Sequence, residues 1–155
     1  MTLARLAERL RGGELSPREA VLSYLERIEQ LNPTLNAYLS LRAEEALAEA
    51  EALERTEDRP LLYGVPVAVK DVIDVAGMPT TAASRILADA VAERDALCVQ
   101  RLRQAGAIVL GKLNTHEFAF GATTASPHFG PARNPWALER ICGGSSGGSG
   151  CAVAA

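Results

Sequence analysis

The sequence is short of lysine, of paired cysteines and of long apolar runs, and each shortage excludes something. Only two of the sixteen basic residues are Lys, Lys70 and Lys112, and the formal net charge is −3. No basic surface is therefore expected to draw the chain to nucleic acid or to an anionic membrane. No apolar stretch approaches the roughly 20 residues of a membrane span. The start, Met1 to Arg11, mixes Arg and Glu with Leu at helical spacing and lacks the apolar block of a secretory signal. A cytoplasmic location is the expectation. The three cysteines, Cys98, Cys142 and Cys151, are odd in number and have no repeated spacing. They read as small buried or half-buried thiols, not as a disulfide framework or a zinc cluster. His116 lies in His-Glu-Phe-Ala-Phe, which lacks the second His of a zinc helix, and His128 sits beside Pro127. Both read as structural or surface residues.

What is present is an ordinary globular composition, 48% apolar and 23% charged over 155 residues, enough for one core. Leu3, Leu6, Ala7 and Leu10 fall on one helical face that Gly12-Gly13 ends. Ser16-Pro17-Arg18-Glu19 is a capping box opening a second helix, with Val21, Tyr24, Leu25 and Ile28 inward and a stop at Asn32-Pro33. A third helix is expected over about 41–55. Val65 to Val69 then reads as a buried strand that ends on Lys70. Glu93 to Gln104 reads as a helix with Leu97 and Leu102 inward. Ala107 to Leu110 reads as a second buried strand ended by Gly111, and Asn114 and Glu117 suggest a further helix start. The stretch from Thr123 to Asn134 is rich in turn residues. This alternation predicts an α/β fold. The expected organisation is a helical lead-in over 1–60 and an α/β core over 61–155, together one incomplete domain.

Gly143 to Gly150 contains only Gly and Ser and leads into Cys151 to Ala155, the first turn of an apolar helix. Four readings compete. A flexible linker would join complete domains, whereas this run enters a helix. A phosphate cradle needs Lys and Ser or Thr after the last Gly, and Cys151-Ala152 follows instead. A nucleophile elbow fits Gly143-x-Ser145-x-Gly147 or Gly144-x-Ser146-x-Gly148, but requires a buried strand just before it, and Trp136 to Arg140 is none. The remaining reading is a working serine set in permissive backbone. A serine hydroxyl needs a base. Lys70, at a strand end where α/β sites are built, supplies one if burial keeps it neutral, which Arg in its place would not allow. A surface cation paired with Asp71 is the alternative for Lys70.

Val-Ala-Val-Lys70-Asp71, Asp74 to Thr81, Asn134-Pro-Trp136 and Gly-Gly-Ser145-Ser146-Gly-Gly-Ser-Gly150 together resemble the amidase signature family. The spacing of Lys70 and Ser145 fits its pattern. The resemblance implies a mixed β-sheet core flanked by helices and cleavage of carboxamides through a Ser-Ser-Lys triad and an acyl-enzyme. It implies Lys70 as general base and Ser145 as the bridging serine, following a cis Gly144–Ser145 peptide. Ala119 and Gly121 would line the acyl pocket. The attacking serine, near position 169, and the oxyanion-hole amides would lie beyond Ala155. No metal or cofactor is implied. Cys142 departs from the family, which usually has proline there.

Within the family two functions compete, and a third reading lies outside them. One is a general amidase acting on a small carboxamide, which Asp74 to Pro79 and Asn134-Pro-Trp136 resemble more. Another is the glutaminase subunit of a glutamyl-tRNA(Gln) amidotransferase, working with partner subunits. The third is a catalytically inert fragment, because these 155 residues alone are expected to hydrolyse no amide. No direct nucleic-acid or membrane contact is expected, and a homodimer is left open.

Overall fold

Side-chain caps set the first two helices. In the computed structural model, which describes residues 1–155, Thr2 accepts the Arg5 N–H at the start of α1 (Leu3–Gly12), and Gly13, in the left-handed region, ends it. Ser16 and Glu19 form the reciprocal capping box of α2 (Pro17–Leu35). Pro33 does not stop this helix. The chain continues to Asn36, whose left-handed backbone closes it onto the Asn32 carbonyl. Asn32 bonds both backbone groups of Tyr38, at 3.0 and 2.8 Å, and so turns the chain into β1 (Tyr38–Leu41). This strand interrupts the helical lead-in expected over 1–60. The chain then forms α3 (Ala43–Glu54), β2 (Pro66–Lys70), α4 (Leu97–Gln104) and β3 (Ile108–Leu113).

The three strands form one mixed sheet in the order β1-β3-β2, with β1 antiparallel and β2 parallel to the central β3. β3 does not end at Gly111 but runs through it. A Cβ at Gly111 would strike the Ser40 carbonyl oxygen, so glycine is what lets β1 approach. Ile108 and Leu110 pack against Val21, Ile28, Ala46 and Ala50 of α2 and α3. Val69 and Val109 face the other way, against Val75, Met78 and Val99. Helices thus cover both sheet faces, the α/β arrangement expected. In α4 the inward residue is Val99, while Leu97 is exposed: the helix starts at Leu97 and not at Glu93, which rotates its buried face.

After β3 the expected helix start at Asn114 is absent. Asn114 is buried and donates to the Asn36 and Gly130 carbonyls, and only one 3₁₀ turn forms, at Glu117–Ala119. Two small hairpins follow, β4 (Ala125–Ser126) with β5 (Gly130–Pro131), and β6 (Arg133–Asn134) with β7 (Ala137–Ile141). The strand before the Gly-Ser run therefore exists, but it is a largely exposed hairpin arm and not the buried strand an elbow needs. The last helix, α5 (Gly147–Ala154), begins inside the Gly-Ser run.

Candidate active site

β2 delivers Lys70 to the edge of the sheet, and α5 brings the Gly-Ser loop over it. Lys70 Nζ lies 2.5 Å from Ser145 Oγ, across 75 positions of sequence. Ser145 is the only hydrogen-bond partner of the Lys70 side chain. Lys70 is half-buried, and burial pushes its amine below the ordinary lysine range. The amine is thus easier to deprotonate and able to accept a proton from the hydroxyl it touches. The alternative pairing with Asp71 does not form. Asp71 instead faces Lys112, at 3.0 Å.

The loop that presents Ser145 is held by its backbone. The Gly144–Ser145 peptide is cis. The Ser145 carbonyl accepts the His116 N–H at 3.0 Å. Thr124, fully buried, donates through Oγ1 to the Gly143 carbonyl at 2.8 Å and approaches the Ser145 carbonyl at 3.3 Å. The same oxygen accepts the Gly147 N–H at 2.9 Å. One hydroxyl therefore ties both sides of Ser145. Gly148 fits where its N–H meets the Asn114 carbonyl at 3.0 Å. A Cβ there would come within 2.5 Å of the Asn114 backbone. Gly148 thus serves close packing of α5 on the β3 end, and Gly144 and Gly147 leave room for the Thr124 side chain, whereas a Cβ at Gly143 or Gly150 would meet little or nothing.

Ala119 and Gly121 lie on the connection after β3. Gly121 packs on the His116 ring, and Ala119 adopts φ 56° with its N–H on the His116 carbonyl at 2.8 Å. Neither bonds Lys70 or Ser145. Four other non-glycine residues near this rim, Ala82, Ala83, Phe118 and Thr124, share the positive-φ conformation. Such backbone persists where surrounding contacts fix it and is enriched at binding sites. Sequence reasoning finds no role for Thr124, reads Asn114 only as a helix start, and marks Lys112 only as one of two lysines. A Thr in a turn-rich stretch carries no local sign that its hydroxyl organises a loop some twenty residues later. Cys142 and Cys151 bracket the loop, are unpaired and contact each other, and burial pushes both thiols up, Cys151 to about 12.

Comparison with known proteins then assigns the family. Residues 19–155 match the Amidase family. The chain belongs to the amidase family. Among curated amidase relatives, a glutamyl-tRNA(Gln) amidotransferase subunit from Nitratidesulfovibrio vulgaris (strain DP4) is 51% identical over 158 residues, covering 100% of this chain and 32% of that protein. A crystal structure of an amidase superposes with a TM-score of 0.91 at 40% identity, over 99% of this chain and 36% of that one. Peptide amidase from Stenotrophomonas maltophilia gives a TM-score of 0.93 at 38% identity, over 100% and 34%. The chain therefore spans about a third of the length of its amidase relatives.

Proposed function

We propose that the protein hydrolyses a carboxamide C–N bond through an acyl-enzyme, with Lys70 as general base and Ser145 as the relay serine. The observation that carries this is the 2.5 Å contact between the Lys70 amine and the Ser145 hydroxyl, with no carboxylate competing for that amine. Neutral Lys70 takes a proton from Ser145. Ser145 takes one from an attacking serine outside these residues, and the relay returns a proton to the departing amine before water releases the acyl group. Ala119 and Gly121 belong to the acyl pocket in this reading. The 155 residues alone turn over no amide, because they lack the attacking serine.

A second reading is favoured by a specific observation. The curated relative at 51% identity bears the name of a glutamyl-tRNA(Gln) amidotransferase subunit, whereas identity to the amidase structures above is 38–40%. In that reading the carboxamide is glutamine and the protein works with partner subunits. This weighs against the general-amidase leaning taken from Asp74 to Pro79 and Asn134-Pro-Trp136. Assay at the length of its relatives separates the two. Turnover of small carboxamides by the protein alone supports a stand-alone amidase. Ammonia release from glutamine only with partner subunits and aminoacyl-tRNA supports the amidotransferase reading.

A further inference from the structure

The chain's two lysines occupy neighbouring rungs of two paired parallel strands, and their surroundings are opposite. Val69 pairs with Lys112, and Lys70 with Leu113. Alternation along β2 sends Lys70 to the Ser145 side and Asp71 to the far side, where Lys112 lies. Lys112 is fully buried. Its ammonium is 3.0 Å from Asp71 Oδ1 and donates to the Pro79 carbonyl and to Thr80 Oγ1, both at 2.9 Å. Asp71, equally buried, accepts through Oδ2 from the Thr81 N–H at 3.1 Å and from the Thr81 hydroxyl. Its backbone is also tied, N–H to the Leu113 carbonyl and carbonyl to the Ala82 N–H, both at 2.9 Å.

The backbone and Oδ2 of the residue that follows Lys70 are therefore hydrogen-bonded, Oδ1 meets the Lys112 ammonium as an ion pair without a well-aligned hydrogen bond, and its negative charge is matched on the far side of the strand. A bare carboxylate beside an amine favours the ammonium form, which cannot accept a proton. A buried carboxylate with its counter-ion removed would exert that effect with little screening. Lysine suits this slot because its compact ammonium addresses three acceptors at once, where the planar fork of Arg would not fit the same geometry.

We propose that Lys112 is a positioning residue for Lys70: by closing an ion pair with Asp71 behind the strand, it leaves the base with Ser145 as its one partner and with no net charge beside it. This rests on the reading of Lys70 as the base in the proposed function. No other titratable side chain bonds Lys70, Asp71 or Lys112. The groups nearby on the packed elements are engaged elsewhere: Asp95 and Glu49 pair with Arg103, Glu117 faces His128, His116 meets Thr123, Cys142 meets Cys151, and Arg18 and Glu19 of α2 bond Glu51 and Ser16.

The test is direct titration of Lys70 in protein labelled with ¹³C at lysine Cε, its resonance identified by loss in Lys70→Arg. Lys112→Met is expected to raise the Lys70 midpoint by about one pH unit, the size Coulomb's law gives for one unit charge across a strand at an effective permittivity of about 30. Asp71→Asn is expected to lower it by a similar amount, and the double variant Asp71→Asn/Lys112→Met to return it near the parent value. If Lys112→Met does not fold, Asp71→Asn decides alone. A Lys70 midpoint unmoved in every variant that folds overturns the proposal. The readout is a resonance and not turnover. An unmoved midpoint in an active amidase therefore refutes the positioning role alone, whereas an active Lys70→Ala variant refutes the base itself.

Discussion

Gly147 donates its N–H to Thr124 Oγ1 at 2.9 Å, and a Cβ on Gly147 would collide with that same oxygen. The start of α5 and the buried hydroxyl are thus fitted to each other, and Ser145 is suspended between them. Replacing Thr124 with Val removes the donor to the Gly143 carbonyl and the acceptor for Gly147 together. The expected loss is about 1–3 kcal/mol of stability, the range for leaving buried polar groups unpaired. Thr124→Ser keeps the oxygen and should recover most of it. Chemical denaturation of the two variants checks this, and equal losses would remove the hydroxyl from the account.

Gly148 makes a sharper steric case. Its Cβ would lie 2.5 Å from the Asn114 backbone and 2.7 Å from the Ala37 carbonyl oxygen, none of which can rotate away. Gly148→Ala is expected to destabilise the protein by roughly 2 kcal/mol, as overpacking against fixed atoms does. Gly150→Ala, whose Cβ would meet only the Cys142 carbonyl oxygen at 4.0 Å, should be tolerated. Paired melting curves decide it, and a Gly148→Ala protein as stable as Gly150→Ala would contradict the packing role.

Alkaline pH should loosen the fold through two groups. Burial raises the Tyr38 hydroxyl to about 12, with a smaller effect from Tyr24, and raises the Cys151 thiol to about 12, with smaller effects from Cys142. A group whose pKa is higher when folded contributes stability that is complete below its unfolded value and is lost as pH climbs through the folded one. The window thus opens near pH 9 for Cys151 and 10 for Tyr38 and closes near 12. Lys70, lowered in the fold, works in the opposite sense, adding stability as pH rises toward 10.5. Tyr38→Phe and Cys151→Ala should each flatten the alkaline fall in urea midpoint, and Lys70→Met should steepen it. Curves parallel to the parent would show that these groups titrate alike folded and unfolded.

Much of this arrangement is legible in the sequence where the signal is local. Helix caps and apolar periods are local, so the Ser16 box and the strand ending on Lys70 were readable. Tyr38–Leu41 was not, because a four-residue edge strand declares itself only through pairing with β3, some 70 residues later. Lys70 and Ser145 were found through chemical type and a motif resemblance. Lys112 stood out only as a rare lysine. Its burial depends on Asp71, Pro79 and Thr80 converging from other parts of the chain, and no local pattern encodes that. Pro33 inside α2 shows the reverse error, a strong local stop overridden by the Asn36 closure and the contacts of Asn32 with Tyr38.

The most direct measurement of the central claim is amide hydrolysis by Lys70→Ala and Ser145→Ala, made in the protein at the length of its relatives and shown to be folded by circular dichroism. Rates are expected to fall by about 10²–10⁴-fold in each, the range for removing a proton-transfer group. The double variant should be little worse than either single one, because the two act as one relay. Hydrolysis at near-parental rates with either side chain removed would contradict the account.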